Sequence, residues 1–408
     1  MKKTVLKKYA RLIAQVGANV QKGQDVVIYT ALDQEELAVL IAEECYKLKA
    51  RQVFIEWTST LYTRLSYKKE TVKTLSTVHP WRIEKEKYYN KELPAFIYID
   101  SDDPDGLKGL NPKKMAMVRK NIYPILKPFR DERDNKYQWI IAGASSPKWA
   151  KKVFPNLPTK QAVNKLWDAI LYTSRCNDDP IIAWEEHNND LEKRSSYLNS
   201  LDIDYLEYHS KNGTDFKVWL NKDVKWEAGG EKTLGSNIFF NPNIPTEECF
   251  TTPIKGRAEG KVVATKPLSY QGQLIENFSF IFKEGKVVEV HAEKGEELLK
   301  EMVNMDEGAS YLGEVALVPF DSPINNLNIL FFSTLYDENA ACHLALGAGF
   351  TNLYKDYEKY SLDELKERGI NDSSIHVDFM IGSDDLSIKA HLKDGRVVDI
   401  FKEGNWAF

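Results

Sequence analysis

Residues 25–58, "DVVIYTALDQEELAVLIAEECYKLKARQVFIEWT", set the architecture of the chain's first part. "DVVIYT" (25–30) is a short β-branched run, which predicts a strand. "DQEELAVLIAEECYKLKA" (33–50) then brings Leu37, Leu40, Ile41, Cys45 and Leu48 onto one helical face. Asp33 can cap that helix. "QVFIEWT" (52–58) reads as a second strand, "AFIYID" (95–100) as a third and "QWIIAGA" (138–144) as a fourth, with helical sequence between them. Apolar strands that alternate with amphipathic helices predict a mainly parallel sheet covered on both faces.

The same reading fails beyond residue 200. Residues 160–200 look helical, and after them "DIDYLEYHS", "TDFKVWL", "GKVVATK", "ENFSFIFKEGKVVEVHAEKG" and "SIKAHLKDGRVVDIFKEG" read as strands and hairpins. "KEGK" and "KDGR" are tight-turn sequences. Two shorter helices are expected, around 295–304 and 337–348. The prediction is an α/β N-terminal domain over 1–195 and a β-rich α+β catalytic domain over 196–408. A chain of 408 residues is long enough for two or three such domains.

Composition narrows the class. The hydrophobic share is 43% and the charged share 28%, enough apolar material for a sizeable core. The net charge of −5 gives no global positive field for nucleic acid or an anionic membrane. No run of about 18 apolar residues predicts a membrane span. "MKKTVLKKYARLIAQV" reads as an amphipathic helix, because it lacks a long apolar region and a small-residue cleavage site. Cys45, Cys176, Cys249 and Cys342 are scattered without a CxxC pair, so a reducing cytoplasm is the expected compartment. No GxGxxG or GxxxxGK[ST] follows the early strands, so neither nucleotide site is supported. "SDDPDG" (101–106) suggests a calcium loop, but the twelfth position from Ser101 is Pro112. It reads instead as a turn after a strand.

Four stretches of the second half carry ionisable residues in apolar or turn-like surroundings. "NIPTEECFTTP" has Glu247 and Glu248 between two prolines, and "YLGEVALVPF" has Glu314 opening an apolar strand. "LYDENAACHLALG" has His343 in an Ala/Leu-rich segment expected to be helical. "IHVDFMIGS" separates His376 from Asp378 by one residue, so on a strand both project from the same face. Each residue alone is compatible with a turn, a solvated strand end or a satisfied core histidine. Together they are costly to bury without a compensating cation, and the four stretches contain no lysine or arginine. A metal centre would supply the missing positive charge. A set of oxygen donors with two imidazoles suits Zn²⁺, Co²⁺ or Mn²⁺ better than a sulfur site would.

At these motifs the chain resembles the thermophilic-type metalloaminopeptidases, the family of aminopeptidase T, aminopeptidase S and PepS. "NIPTEECFTTP", "AEKGEELL", "LGEVALVP", "LYDENAACHLALG" and "IHVDFMIGS" occur in the family's order along essentially the whole chain. The resemblance implies an exopeptidase with two divalent metals per subunit, zinc or cobalt first, manganese or magnesium as alternatives. It implies Glu248, Glu314, His343, His376 and Asp378 as ligands, with Glu314 bridging the metals and assisting the attacking water. It also implies a homodimer acting on short peptides with a free N-terminus. Glu247 is a second candidate for proton transfer, with a structural turn role as the alternative.

One position departs from the family pattern. A tyrosine often stands seven residues after the histidine of the fourth motif, and here that position is Phe350, which cannot donate a hydrogen bond. Tyr354, four residues further on, would lie one turn away if a helix continued, and is the candidate replacement. Two other readings stay open at this point: a dimetal phosphoesterase, which would want Arg or Lys near the ligands, and a non-catalytic protein with a closed metal site.

Overall fold

The computed structural model describes residues 2–176 and 178–408. The chain divides into two compact units, Met1–Glu185 with Gly230–Pro245, and Glu186–Gly229 with Thr246–Phe408. The division falls inside the helix Pro180–Ser200, and sixteen residues of the later sequence return to the first unit. Neither feature has a mark in the apolar pattern.

In the first unit, β1 (Asp25–Ala31), β2 (Gln52–Thr58), β3 (Ala95–Asp100) and β4 (Trp139–Gly143) pair in parallel in the order β4-β3-β1-β2. The two-residue strand Asn243–Ile244 adds in parallel to β4. β1 is central, and Val26, Val27 and Ile28 are fully buried in it. β2 is an edge strand and is only half-buried. The helix Glu35–Lys47 buries Leu37, Leu40, Ile41 and Cys45, the face expected from spacing. Asp33 does not cap it. It lies in a 3-10 turn, and Gln34 is the N-cap without a side-chain cap bond. The N-terminal segment is an amphipathic helix, Lys3–Leu12, that buries Leu6, Tyr9, Ala10 and Leu12. The "SDDPDG" stretch runs through turns, where Asp103 and Asp105 pair with Lys148 and Lys152.

The second unit holds two antiparallel sheets. The larger has nine strands and includes the hairpin of Gln273–Lys283 with Lys286–Lys294. Glu284 and Gly285 both take positive φ at its tip, which a two-residue hairpin turn of matching twist requires. The smaller sheet carries the site. Its strands are β5 (Glu227–Ala228), β6 (Cys249–Thr251), β7 (Leu312–Leu317), β8 (His343–Gly347) and β9 (His376–Met380), in the order β9-β8-β7-β6-β5. Val315, Leu317, Leu344, Leu346 and Phe379 point from it into the unit's main hydrophobic core.

The helix expected over 337–348 is corrected by this sheet. Only Thr334–Asp337 is α-helical, Glu338–Ala340 is a 3-10 turn, and His343 opens β8. Alternation explains the strand. Leu344 and Leu346 face the core, while His343, Ala345 and Gly347 face the other way. Pairing on both sides, with β7 and β9, overrides the helix propensity of alanine and leucine.

Candidate metal centre

Cross-strand register puts the candidate ligands on one face of the smaller sheet. Glu314 on β7 and Asp378 on β9 both lie opposite Ala345 of the intervening β8. His376 lies opposite Gly347, and His343 lies opposite Ala316 and Met380. Glu248 immediately precedes β6, and Phe250, two residues later, lies opposite Ala316. The residues between the polar groups are therefore small: Ala316, Ala345 and Gly347. Longer side chains at these positions would project among the polar groups. Gly347 also has φ +109, and a Cβ there would lie 2.0 Å from the Ile375 carbonyl oxygen.

Two donor sets share one residue. Glu248, Glu314 and His343 form the first, and Glu314, His376 and Asp378 the second, each with its ligand atoms within 4.8 Å of one another. His343 Nε2 lies 3.2 Å from Glu248 Oε2 and 3.9 Å from Glu314 Oε1. His376 Nε2 lies 3.0 Å from Glu314 Oε2 and 3.4 Å from Asp378 Oδ1. The two oxygens of Glu314 thus serve different sets. Glu248, Glu314, His343 and Asp378 are buried, whereas the His376 side chain keeps 29% of its surface and opens the cluster to solvent.

The fit to a cation rests on the ring nitrogens. Nδ1 of His376 is 2.7 Å from the Ala348 carbonyl oxygen, and Nδ1 of His343 is 3.3 Å from that of Ala341. Each ring donates its Nδ1–H there, as metal-binding histidines commonly do. Each Nε2 then turns a lone pair toward carboxylate oxygens, which needs a proton or a cation between them. Donors at about 2.1 Å from a tetrahedral ion stand about 3.4 Å apart, close to the separations observed. The set is nitrogen and oxygen only. Cys249 faces the hydrophobic core, and Cys342 donates its thiol to the Val318 carbonyl oxygen, 3.2 Å away.

Without a metal, the cluster holds protons instead. Burial pushes the Glu314 carboxyl up to about 7, and the fields of Asp378 and Glu248 add to this against the hydrogen bond from His376. Burial opposes charge on His343, but its contact with Glu248 and the neighbouring carboxylates outweigh that and raise it to about 10. His376 is raised well above its ordinary value on the same balance, through Asp378 and Glu314. Asp378 is lowered although its burial acts the other way, because His376 bonds to it.

The remaining candidates fall outside both donor sets. Glu247 is buried, its backbone N–H donates to Asn339 Oδ1 at 2.7 Å, and its carboxylate lies 3.9 Å from His187 Nε2. Tyr354 follows a 3-10 turn, not a continuing helix. It packs with Leu365 and Ile370, and its hydroxyl lies 3.5 Å from Asp223 Oδ2. The expected one-turn relation to Phe350 is therefore absent. Phe350 itself does stand at the cluster, its ring centroid 5.1 Å from that of His376.

Sequence reasoning missed Glu338. It lines a cavity of about 40 Å³ with Asp337, Asp378 and Met380. Burial, then the charges of Asp378 and Glu248, raise its carboxyl well above the usual range. The available signal was an acidic residue within the same stretch that supplies His343. A larger cavity of about 410 Å³, lined in part by Leu198, Trp226, Leu353 and Lys355, contains none of the cluster residues.

The signature of the thermophilic metalloproteases (M29) spans residues 2–406. This chain belongs to that family. It is 40% identical to aminopeptidase AmpS of Bacillus subtilis, covering 99% of this chain and 98% of the relative. Aminopeptidase 2 of Geobacillus stearothermophilus is 41% identical over the same shares. The solved structure of wild-type AmpT from Thermus thermophilus superposes with a TM-score of 0.91 at 36% identity, over 100% of both chains. The family membership thus coincides with the oxygen- and nitrogen-rich cluster that register brings together.

Proposed function

We propose that this protein is a cytoplasmic aminopeptidase that uses two divalent metal ions, zinc or cobalt, with manganese or magnesium as alternatives, to remove the first residue of short peptides. The observation that carries this reading is Glu314, shared between two nitrogen-and-oxygen donor sets on one sheet face. The aminopeptidase names of the full-length relatives support it. The second unit would be the catalytic domain, and the working form a homodimer. No helix among the described residues is long and apolar enough to cross a membrane.

Glu248 and His343 would hold one ion, His376 and Asp378 the other, and Glu314 would touch both. Bound there, the ions supply positive charge that polarises a peptide carbonyl and makes water acidic enough to attack at neutral pH. The buried Glu314 carboxylate would accept the proton from the attacking water and return it to the leaving amine. His376 and His343 stay oriented through their Nδ1–H bonds to Ala348 and Ala341. Glu247 is assigned to the loop, where its bond to Asn339 fixes the segment that carries Glu248.

A phosphoesterase would want a cation to grip phosphate. Among the described residues, no lysine or arginine forms an ion pair with Glu248, Glu314 or Asp378. A closed structural site would not leave His376 open to solvent. The test is to strip the protein with chelator, restore Zn²⁺, Co²⁺, Mn²⁺ or Mg²⁺ singly, and assay leucine p-nitroanilide, its N-acetylated form and p-nitrophenyl phosphate. Metal-restored cleavage of the free-amine anilide alone is expected. Hydrolysis of the phosphate ester alone, or tight metal binding with no turnover, would overturn the reading.

A further inference from the structure

Two phenylalanine rings border the cluster. Phe250 lies on the ligand face of β6, in the cross-strand row that runs through Ala316 to His343. The Phe350 ring stands edge-on to Phe250, with centroids 5.3 Å apart and planes at 68°. The same ring lies against His376 at 5.1 Å. Thr252, next on that face after Phe250, accepts the Phe350 backbone N–H at 2.9 Å and so fixes where the ring stands. Both phenylalanines are only half-buried. Their apolar surface is not consumed by the core, since neither belongs to the unit's main hydrophobic cluster.

The cluster's other border is a small cavity. Beyond Asp378 it holds about 40 Å³ and is lined by Asp337, Glu338 and Ser333 together with Leu268, Phe332 and Met380. That space is too small for a leucine or phenylalanine side chain, and filling it would also press hydrocarbon against the Glu338 and Asp337 carboxylates, which is unfavourable. A peptide held at the cluster through its amine and first carbonyl has one further group to place, the side chain on the same carbon. The aromatic border is the surface that gains by covering it.

We infer that Phe250 and Phe350 form the wall that receives the side chain of the substrate's first residue and selects for apolar residues there. The inference rests on the aminopeptidase reading for its substrate. It also gives the phenylalanine at 350 a use of its own, because a ring without a hydroxyl leaves no polar group to desolvate on that wall.

The experiment compares metal-loaded wild type with Phe250→Ala, Phe350→Ala, Phe350→Leu and Phe350→Tyr. Leucine, phenylalanine and alanine p-nitroanilides are assayed, and binding of free L-leucine and L-alanine is measured by calorimetry. Wild type should favour leucine over alanine in both readouts, and should cleave the phenylalanine anilide in preference to the alanine one. Each alanine variant should shrink that ratio roughly tenfold, the scale for losing apolar contact in a pocket. Phe350→Leu and Phe350→Tyr keep bulk or ring and should retain most of the preference. Uniform loss on all three substrates, with an unchanged leucine-to-alanine binding ratio, would overturn the inference. Failure of the aminopeptidase reading looks different: no anilide would be cleaved, yet the binding preference would persist in wild type and fall in the alanine variants, and the wall would stand.

Discussion

Glu314 Oε2 lies 3.0 Å from His376 Nε2, and the far nitrogen of that ring is already committed to the Ala348 carbonyl. The carboxylate and the imidazole therefore face each other across a gap suited to a cation.

Replacing Glu314 with glutamine keeps the shape and removes the charge. Turnover should fall by about 10²–10⁴-fold, the range of a lost general base. The metal-free variant should melt no lower than wild type, because one of several crowded buried carboxylates is gone. Steady-state kinetics at saturating metal and a melting curve of the stripped protein check both halves. Full activity would remove Glu314 from the chemistry.

The metal-free cluster should make stability depend on pH. Glu314 is raised from 4.5 to about 7, and His343 from 6.5 to about 10. Both bind their proton more tightly when folded, so each contributes stability below its unfolded value and loses it as pH rises through its folded value. The stripped protein should therefore lose stability as pH rises above about 4.5, first through Glu314 up to about 7 and then through His343 up to about 10. Asp378 acts oppositely, but its stabilisation is lost only as pH falls below its ordinary 3.8. Metal binding near neutral pH should release protons, since the ligands must shed them. Calorimetric titration in buffers of different ionisation enthalpy measures that release. A count of zero would contradict the assigned ligands.

The sequence carried much of this arrangement and hid the rest for identifiable reasons. β1, β3 and β4 were legible because parallel strands buried on both faces read as apolar runs. His376 and Asp378 were legible because a strand's period is two. β8 was not, since "HLALG" is too short to separate the two periods and alanine and leucine favour the helix. The one-turn spacing from Phe350 to Tyr354 failed for a related reason, because one turn of helix was assumed where a 3-10 turn ends. Glu338 stayed hidden because its environment is made by Asp378 and Glu248, which are distant in the chain. The return of residues 230–245 to the first unit depends on a two-residue pairing with β4, too short to leave a pattern.

Ala345 tests whether the small residues between the carboxylates are part of the site. It is opposite Glu314 on one side and Asp378 on the other, on the ligand face. Valine there would push two methyl groups between the carboxylates. Metal affinity should fall by at least about tenfold, as for disturbed outer-shell partners, and overpacking should cost about 1–3 kcal/mol of stability. Metal titration and denaturant unfolding of the stripped variant measure the two effects separately. Unchanged affinity would mean that ions do not sit over Ala345.

Phe350→Tyr asks what the missing hydroxyl would do. The Phe350 ring is held at His376 by the bond from its own N–H to Thr252, so tyrosine should occupy the same place. Its hydroxyl would be a donor at the border of a buried, charged cluster, where a donor aimed at developing negative charge lowers the barrier strongly. The expected result is a rise in kcat of about tenfold, below the full effect of a dedicated oxyanion donor because no neighbouring group orients the new hydroxyl. The preference for leucine over alanine should persist, since the ring remains. Comparing kcat and KM for both anilides separates the effects: a changed preference with constant kcat would assign the position to side-chain selection alone, and a raised kcat with constant preference would show that the site can use a donor which this chain lacks.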